Sequence, residues 1–369
     1  MLRHQRQAVI TGPAGTGKTI LAREKARELD RSGFRVALFV FGDFLATELR
    51  EQLSGTAVQV FAQMHIRTIL NDSYNLGMSS REVVAGPTRE AVEHYVASIG
   101  QQEPLFDAVI VDEAQLIVEE TWELLRSATA DDAPSYFFAD EYQGWRARPK
   151  ASWYESGGPH FELTLNCRNS RQIGTVAASV RRDDSELPSI SGPEVQFIDQ
   201  EVSAAEVANQ VEDLLSEGFL PEEVLIIAFE KDFSDEEYGV VAASMPSNPS
   251  QYAKATFGDV DRIAEALDAA GIRVADSTID LLGSSQARLG RDGVRLCFAS
   301  FAVGLESSAV IVAHRIPQRG MDDSGDRDFY TSVTRARSVL RIIGDIAALA
   351  HRYERPAWLH GGKESPALS

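Results

Sequence analysis

Cysteine is almost missing from this chain: Cys167 and Cys297 are the only two in 369 residues. Two thiols cannot make a disulfide scaffold, and a chain of this length buries enough apolar surface to need no staple. Their scarcity fits a reducing compartment, so we expect a cytoplasmic protein. Long apolar runs are also missing. None approaches the ~20 residues of a membrane helix, and the start, MLRHQRQAVITG, lacks the apolar core of a secretory signal. No membrane partner is expected. The seven His residues form no HExxH, no Cys/His group has zinc-ligand spacing, and no motif marks Cys167 as a nucleophile. Lysine is scarce, 6 against 30 Arg, which GC-rich coding explains more readily than mechanism does. Positive charge is in deficit overall, 36 Lys+Arg against 55 Asp+Glu, for a net charge of −19. A protein that grips nucleic acid through many phosphates usually shows a basic face, so any such face must be local here. Hydrophobic residues at 44% and charged residues at 25% are ordinary for a globular protein. Collagen-like, disulfide-rich secreted, membrane-spanning and wholly disordered classes are excluded.

What is present is an alternation of apolar strands and amphipathic helices, the pattern of an α/β protein with mostly parallel sheets. Length predicts two domains. In the first, strands are expected at 8–11, 35–41, 58–61, 107–111 and 135–139, with helices at 19–29, 44–53, 63–70 and 119–128. Residues 72–104 read as a small helical insertion. A connector at 149–159 leads to a boundary at about residue 160. The pattern restarts in 161–355, with strands at 161–165, 195–199, 224–229, 294–300, 310–314 and 339–343 and helices at 171–180, 204–215 and 260–269. Two segments, about 230–257 and 276–293, read as excursions from the second sheet, and 356–369 as a tail. No internal repeat is visible.

Residues 12–19 read Gly12-Pro13-Ala14-Gly15-Thr16-Gly17-Lys18-Thr19, a GxxxxGKT loop after a strand and opening a helix. Glycines let successive N–H groups face an anion, and the helix N-terminus adds positive potential. Lys18 would reach the β- and γ-phosphates of ATP, and Thr19 would give an oxygen to Mg²⁺. The strand 107–111 ends in Asp112-Glu113-Ala114-Gln115. Carboxylates at the C-terminal end of a parallel strand stand where ligands sit in such sheets. Asp112 would hold Mg²⁺ directly or through water, and Glu113 would polarise an attacking water. Alone, an Asp-Glu pair after a strand is more often a helix cap; behind a phosphate loop, it reads as ATPase machinery.

With the DEAQ letters behind this loop, the chain resembles superfamily 1 helicases of the UvrD type. Further segments resemble that family in order: Phe41 to Leu49 after the second strand; Gln63-Met64-His65, where the family has Thr-Phe-His; Ala139-Asp140-Glu141-Tyr142-Gln143; Leu165 to Ser170; Gly304-Leu305-Glu306; and Tyr330 to Arg337. The resemblance spans about residues 10–344. It implies two RecA-like P-loop domains with ATP in the cleft between them. It further implies Gln143 as γ-phosphate sensor, Arg168 and Arg335 as arginine fingers, Glu306 at the ribose, and Gln115 and Gly304 among the nucleotide-binding residues. Mg²⁺ would sit at Thr19 and Asp112. The implied partner is single-stranded nucleic acid, DNA ahead of RNA, with Phe41, His65, Trp145 and Arg146 as contacts. Phe41 reads equally as core and Trp145 as a loop anchor, while His65 reads more readily as a structural histidine than as a contact. A nuclease or sensor protein or domain is a further expected partner.

The chain departs from the family at several points. Cys167 replaces the adenine-stacking Tyr, and Gln5 and Gln7 lie too close to the loop to match the family's adenine-reading glutamine. Phe298, Ser300 and Val303 replace the Thr, His and Lys of the segment ending in Gly-Leu-Glu, and Phe44 replaces a Lys. The accessory insertions are reduced to 72–104 and to short segments within 230–293. Two functions are therefore expected from the sequence: an ATP-driven motor that translocates on single strands, or an ATP-dependent switch acting on a protein partner without unwinding.

Overall fold

Strands buried on both faces read as unbroken apolar runs rather than alternating ones, and VALFV and AVIVD are such runs. They are the second and fourth of six strands: β1 (Gln7–Thr11), β2 (Val36–Val40), β3 (Gln59–Ala62), β4 (Ala108–Asp112), β5 (Ser135–Ala139) and β6 (His160–Glu162). The computed structural model describes residues 5–143, 151–182, 187–229, 260–278, 287–314 and 323–353. The chain divides into two units, Met1–Thr164 and Leu165–Ser369. In the first unit, the six strands form an all-parallel sheet in the order β3-β2-β4-β5-β1-β6.

The strand period of two divides the core of the first unit. Ile10, Leu38, Ile110 and Phe138 face one side, packed on Ala22, Ala26 and Leu49 of helices Lys18–Arg31 and Asp43–Gln52. Val9, Phe39, Val111 and Phe137 face the other, packed on helices Ile66–Tyr74, Arg89–Ile99 and Glu119–Ser127. The 72–104 region contributes two short helices, Ser80–Ala85 and Arg89–Ile99. Ser79 and Glu82 cap the first reciprocally, and Thr88 caps the second.

In the second unit, β7 (Gln196–Asp199), β8 (Val224–Ala228), β9 (Ser277–Thr278), β10 (Ala287–Arg288), β11 (Arg295–Phe298), β12 (Ser307–Ala313) and β13 (Ala336–Gly344) form one sheet in the order β7-β13-β12-β8-β11-β10-β9. It is parallel except where β10 pairs with β11 and β9. Within the 276–293 segment, Ser277–Thr278 and Ala287–Arg288 thus belong to the sheet edge as two antiparallel strands, and residues 279–286 lie outside the described residues. Strands of two residues carry no readable period, so only pairing defines them. The helix Asp323–Val333, which packs on Arg171–Arg181, and the helix Ile346–Arg352 were not legible as helices in the sequence. Residues 230–259 and 354–369, including the expected tail, lie outside the described residues.

Candidate nucleotide site

The sheet order explains how the candidate residues meet. β5 lies between β1 and β4, so the loop leaving β1 passes over the end of β5 toward the end of β4. The loop runs into the helix Lys18–Arg31 through Gly17, which sits at φ 85° and ψ 18° as its cap. That left-handed conformation strains any residue with a Cβ. Gly12 is required for space instead, since a Cβ there would meet the Leu163 carbonyl oxygen at 2.5 Å. The turn is closed by Thr16 Oγ1 donating to the Pro13 carbonyl at 2.9 Å.

Lys18 is buried, and its Nζ folds back over the loop. It donates to the carbonyls of Gly12 at 2.8 Å and Pro13 at 2.9 Å, and stands 3.9 Å from Asp140 Oδ2. Thr19 Oγ1 donates to Asp112 Oδ2 at 2.5 Å. The other oxygen, Asp112 Oδ1, is buried with no hydrogen-bond partner. Burial, reinforced by the neighbouring Glu113 charge, pushes the Asp112 carboxyl up to about 7, against the pull of Thr19 and Lys18. A fully buried carboxylate oxygen left unsatisfied costs free energy unless something cationic meets it. A hydroxyl and a carboxylate, both hard oxygen donors, fit Mg²⁺, which keeps several waters and draws its remaining ligands from phosphates. No group of three or more His, Cys, Asp or Glu that would hold a metal ion occurs among the described residues.

Glu113 follows in the left-handed region at φ 54° and ψ 43°, and it is buried. Its Oε2 accepts from Gln115 Nε2 at 2.7 Å, while Gln115 Oε1 accepts from the Asp140 amide at 3.2 Å. Gln143 is buried and donates through Nε2 to Asp140 Oδ2 at 2.9 Å, and its Oε1 has no hydrogen-bond partner. The ends of β4 and β5 thus form one polar network around Lys18. The glutamine with no role in the sequence reading, Gln63, also joins it: its Nε2 donates to the carbonyls of Asp112 and Glu113.

Residues 2–138 match a family model described as an AAA domain. No curated protein sequence matches the chain. Solved structures with a similar fold include the helicase (nonstructural protein 10) of an arterivirus, at 10% identity and TM-score 0.46, over 94% of this chain and 61% of that one. The PRRSV helicase is similar at 11% identity and TM-score 0.45, over 94% and 54%. The arterivirus helicase solved with DNA is similar at 11% and 0.46, over 94% and 63%. The chain therefore spans less than two thirds of the length of these structures. Its own α/β architecture, with a GxxxxGKT loop between β1 and its helix, is that of a P-loop nucleoside triphosphatase domain followed by a second sheet of the same mostly parallel kind.

The second unit gathers the other candidates at one corner. Gly304 turns at φ 78°. Glu306, two residues on, accepts from Arg168 Nε at 2.9 Å and from Arg337 Nη2. Asn169 Nδ2 donates to the carbonyls of Thr334 at 3.1 Å and Ala336 at 2.5 Å, tying the Asn-Cys-Arg-Asn-Ser segment to the Thr-Arg-Ala-Arg segment. Arg335 is turned inward and buried. It donates to the carbonyls of Thr331 at 3.0 Å and Leu305 at 3.1 Å and to Thr334 Oγ1 at 3.2 Å. Cys167 is exposed beside Arg168. Phe298 and Val303, the substitutes for the family's Thr and Lys, are buried.

Of the expected nucleic-acid contacts, Phe41 is half-buried just past β2. His65 Nε2 lies 3.0 Å from Asp43 Oδ2 in a partly exposed pair. Trp145 and Arg146 lie outside the described residues. No helix among the described residues is long and apolar enough to cross a membrane.

Proposed function

We propose that this chain is a Mg²⁺-dependent ATPase of the superfamily 1, UvrD-like helicase type, with hydrolysis coupled to binding and translocation on single-stranded DNA or RNA. The observation that carries the reading is the Thr19–Asp112 contact beside a Lys18 that rests on two loop carbonyls and pairs with Asp140, with Glu113 one residue beyond. Mg²⁺ at Thr19 and Asp112 would neutralise charge on the phosphates. Lys18 would exchange the Gly12 and Pro13 carbonyls for β- and γ-phosphate oxygens. A helix N-terminus and the Gly15–Thr19 amides would bind the phosphate chain. Glu113 would accept the proton of an in-line water, and Gln143 would sense the γ-phosphate through its Nε2 amide, leaving Oε1 to accept from that water. Of the two arginines, Arg168 is the better charge neutraliser. It is partly exposed and ion-paired with Glu306, whereas Arg335 is buried and bonded to Thr331, Leu305 and Thr334. Glu306, once released, is a carboxylate suited to a ribose hydroxyl.

The second reading, an ATP-dependent switch acting on a protein partner, is favoured by one observation: Phe298 and Val303 are buried where a coupling motor would present polar contacts. The test is the steady-state ATPase rate with and without single-stranded DNA and RNA at two salt concentrations, with Lys18→Ala as blank. Stimulation that fades with salt supports the motor. Lys18-dependent hydrolysis unaffected by either polymer sinks the motor and supports the switch.

A further inference from the structure

Gln63 is the first residue past β3, and β3 is separated from β4 by β2. Ala62 pairs with Val40, and Val111 with Phe39. Carried on, that register sets Ala62, Val40 and Asp112 level, and Gln63, Phe41 and Glu113 are the next residues past the three strands. From the end of β3, the Gln63 amide crosses the end of β2 and donates to the carbonyl oxygens of both Asp112 and Glu113. These two carbonyls belong to the peptide groups before and after the Glu113 Cα. Holding both fixes the rotations about that Cα, and so fixes where the Glu113 side chain leaves the chain. The restraint matters because Glu113 occupies left-handed φ and ψ, which costs a non-glycine residue roughly 1 kcal/mol or more and persists only where surroundings impose it. Gln115 holds the same carboxylate from its other end.

We infer that Gln63 is a positioning residue that sets the aim of Glu113. The inference rests on the reading of Glu113 as the base for water attack. Gln63 also begins the tight turn Gln63–His65, which presents Met64 to solvent and ties His65 to Asp43. The aim of the base is thereby anchored in an exposed turn on the far side of β2.

The test uses the full chain with Gln63→Met, which keeps length and volume but removes the amide, and Gln63→Ala as a second variant. Both are measured for kcat, KM, equilibrium binding of a fluorescent ATP analogue with Mg²⁺, and melting temperature. The positioning role predicts kcat lowered roughly tenfold, with KM and analogue affinity within about twofold of wild type. In a Glu113→Gln background, followed by single turnover, Gln63→Met should change the rate less than about twofold, because the group it aims is gone. Full kcat in Gln63→Met, or a loss that adds undiminished to that of Glu113→Gln, overturns the inference while leaving the ATPase reading standing. A wild type with no Lys18-dependent hydrolysis overturns both.

Discussion

Each unit buries a candidate-site cation among backbone carbonyls, and the two are held differently. Lys18 is a point charge on a flexible stem, resting on two carbonyls of its own loop. Arg335 is a planar fork whose bonds run to Thr331 and Thr334 near its own position and to Leu305 on a separate segment. An ammonium can turn from a loop carbonyl to a phosphate without disturbing a second segment. A guanidinium bonded at several fixed angles cannot leave without breaking the junction it closes. Elsewhere in the second unit, half-buried Arg168 and exposed Arg337 share the half-buried carboxylate of Glu306. Bond geometry thus distinguishes cations held loosely from those that brace the fold, which residue type alone does not.

Four measurements break or sharpen this comparison. The largest effect is expected from Lys18→Ala, which should lower ATP hydrolysis by roughly 10³-fold while leaving the melting temperature within a few degrees of wild type. A parallel collapse in stability would make Lys18 a brace as well. Next, Arg335→Ala should destabilise the second unit by about 3 kcal/mol in denaturant unfolding, since buried acceptors lose their donor. Arg168→Ala should cost under about 1 kcal/mol, as partly exposed ion pairs do, yet slow hydrolysis by roughly 10²-fold. Equal stability losses would erase the distinction.

The third measurement is pH. The folded-state value of Asp112 lies above the 3.8 of an ordinary aspartate. Its contribution to stability is therefore full below about pH 4 and lost as pH rises toward 7. His314 is buried between Phe229 and Phe329 with neither ring nitrogen hydrogen-bonded, and burial pushes it down to about 3. Its contribution is full above pH 6.5 and lost as pH falls toward 3. In metal-free buffer, Asp112→Asn should be more stable than wild type at pH 8 and converge with it near pH 4. His314→Leu should flatten the acid side instead. Each effect is on the order of 4 kcal/mol across its full window, read from unfolding at pH 4, 6 and 8. The smallest effect is chemical: a thiol reagent on the native chain should label exposed Cys167 and spare Cys297, whose thiol burial raises to about 12.

The phosphate loop, the strand ending in Asp112 and Glu113, and most strands and helices were readable because they rest on local rules. These rules are glycine freedom, strand and helix periods, and the ligand-bearing end of parallel strands. The helix Asp323–Val333 was hidden because its polar start follows no apolar stripe until Phe329, and β9 and β10 were hidden by brevity. By itself, the sequence determined the α/β class, the GxxxxGKT loop between strand and helix and the identity of the carboxylates, since spacing along one chain carries each of these. Only the tertiary structure decided that Gln63 reaches across β2 to the Glu113 peptides, that Arg335 points inward, and that Asp112 keeps one buried oxygen unpaired. Those facts depend on strand order and on what surrounds a side chain once water has been excluded, and neither is written in the spacing of residues along the chain.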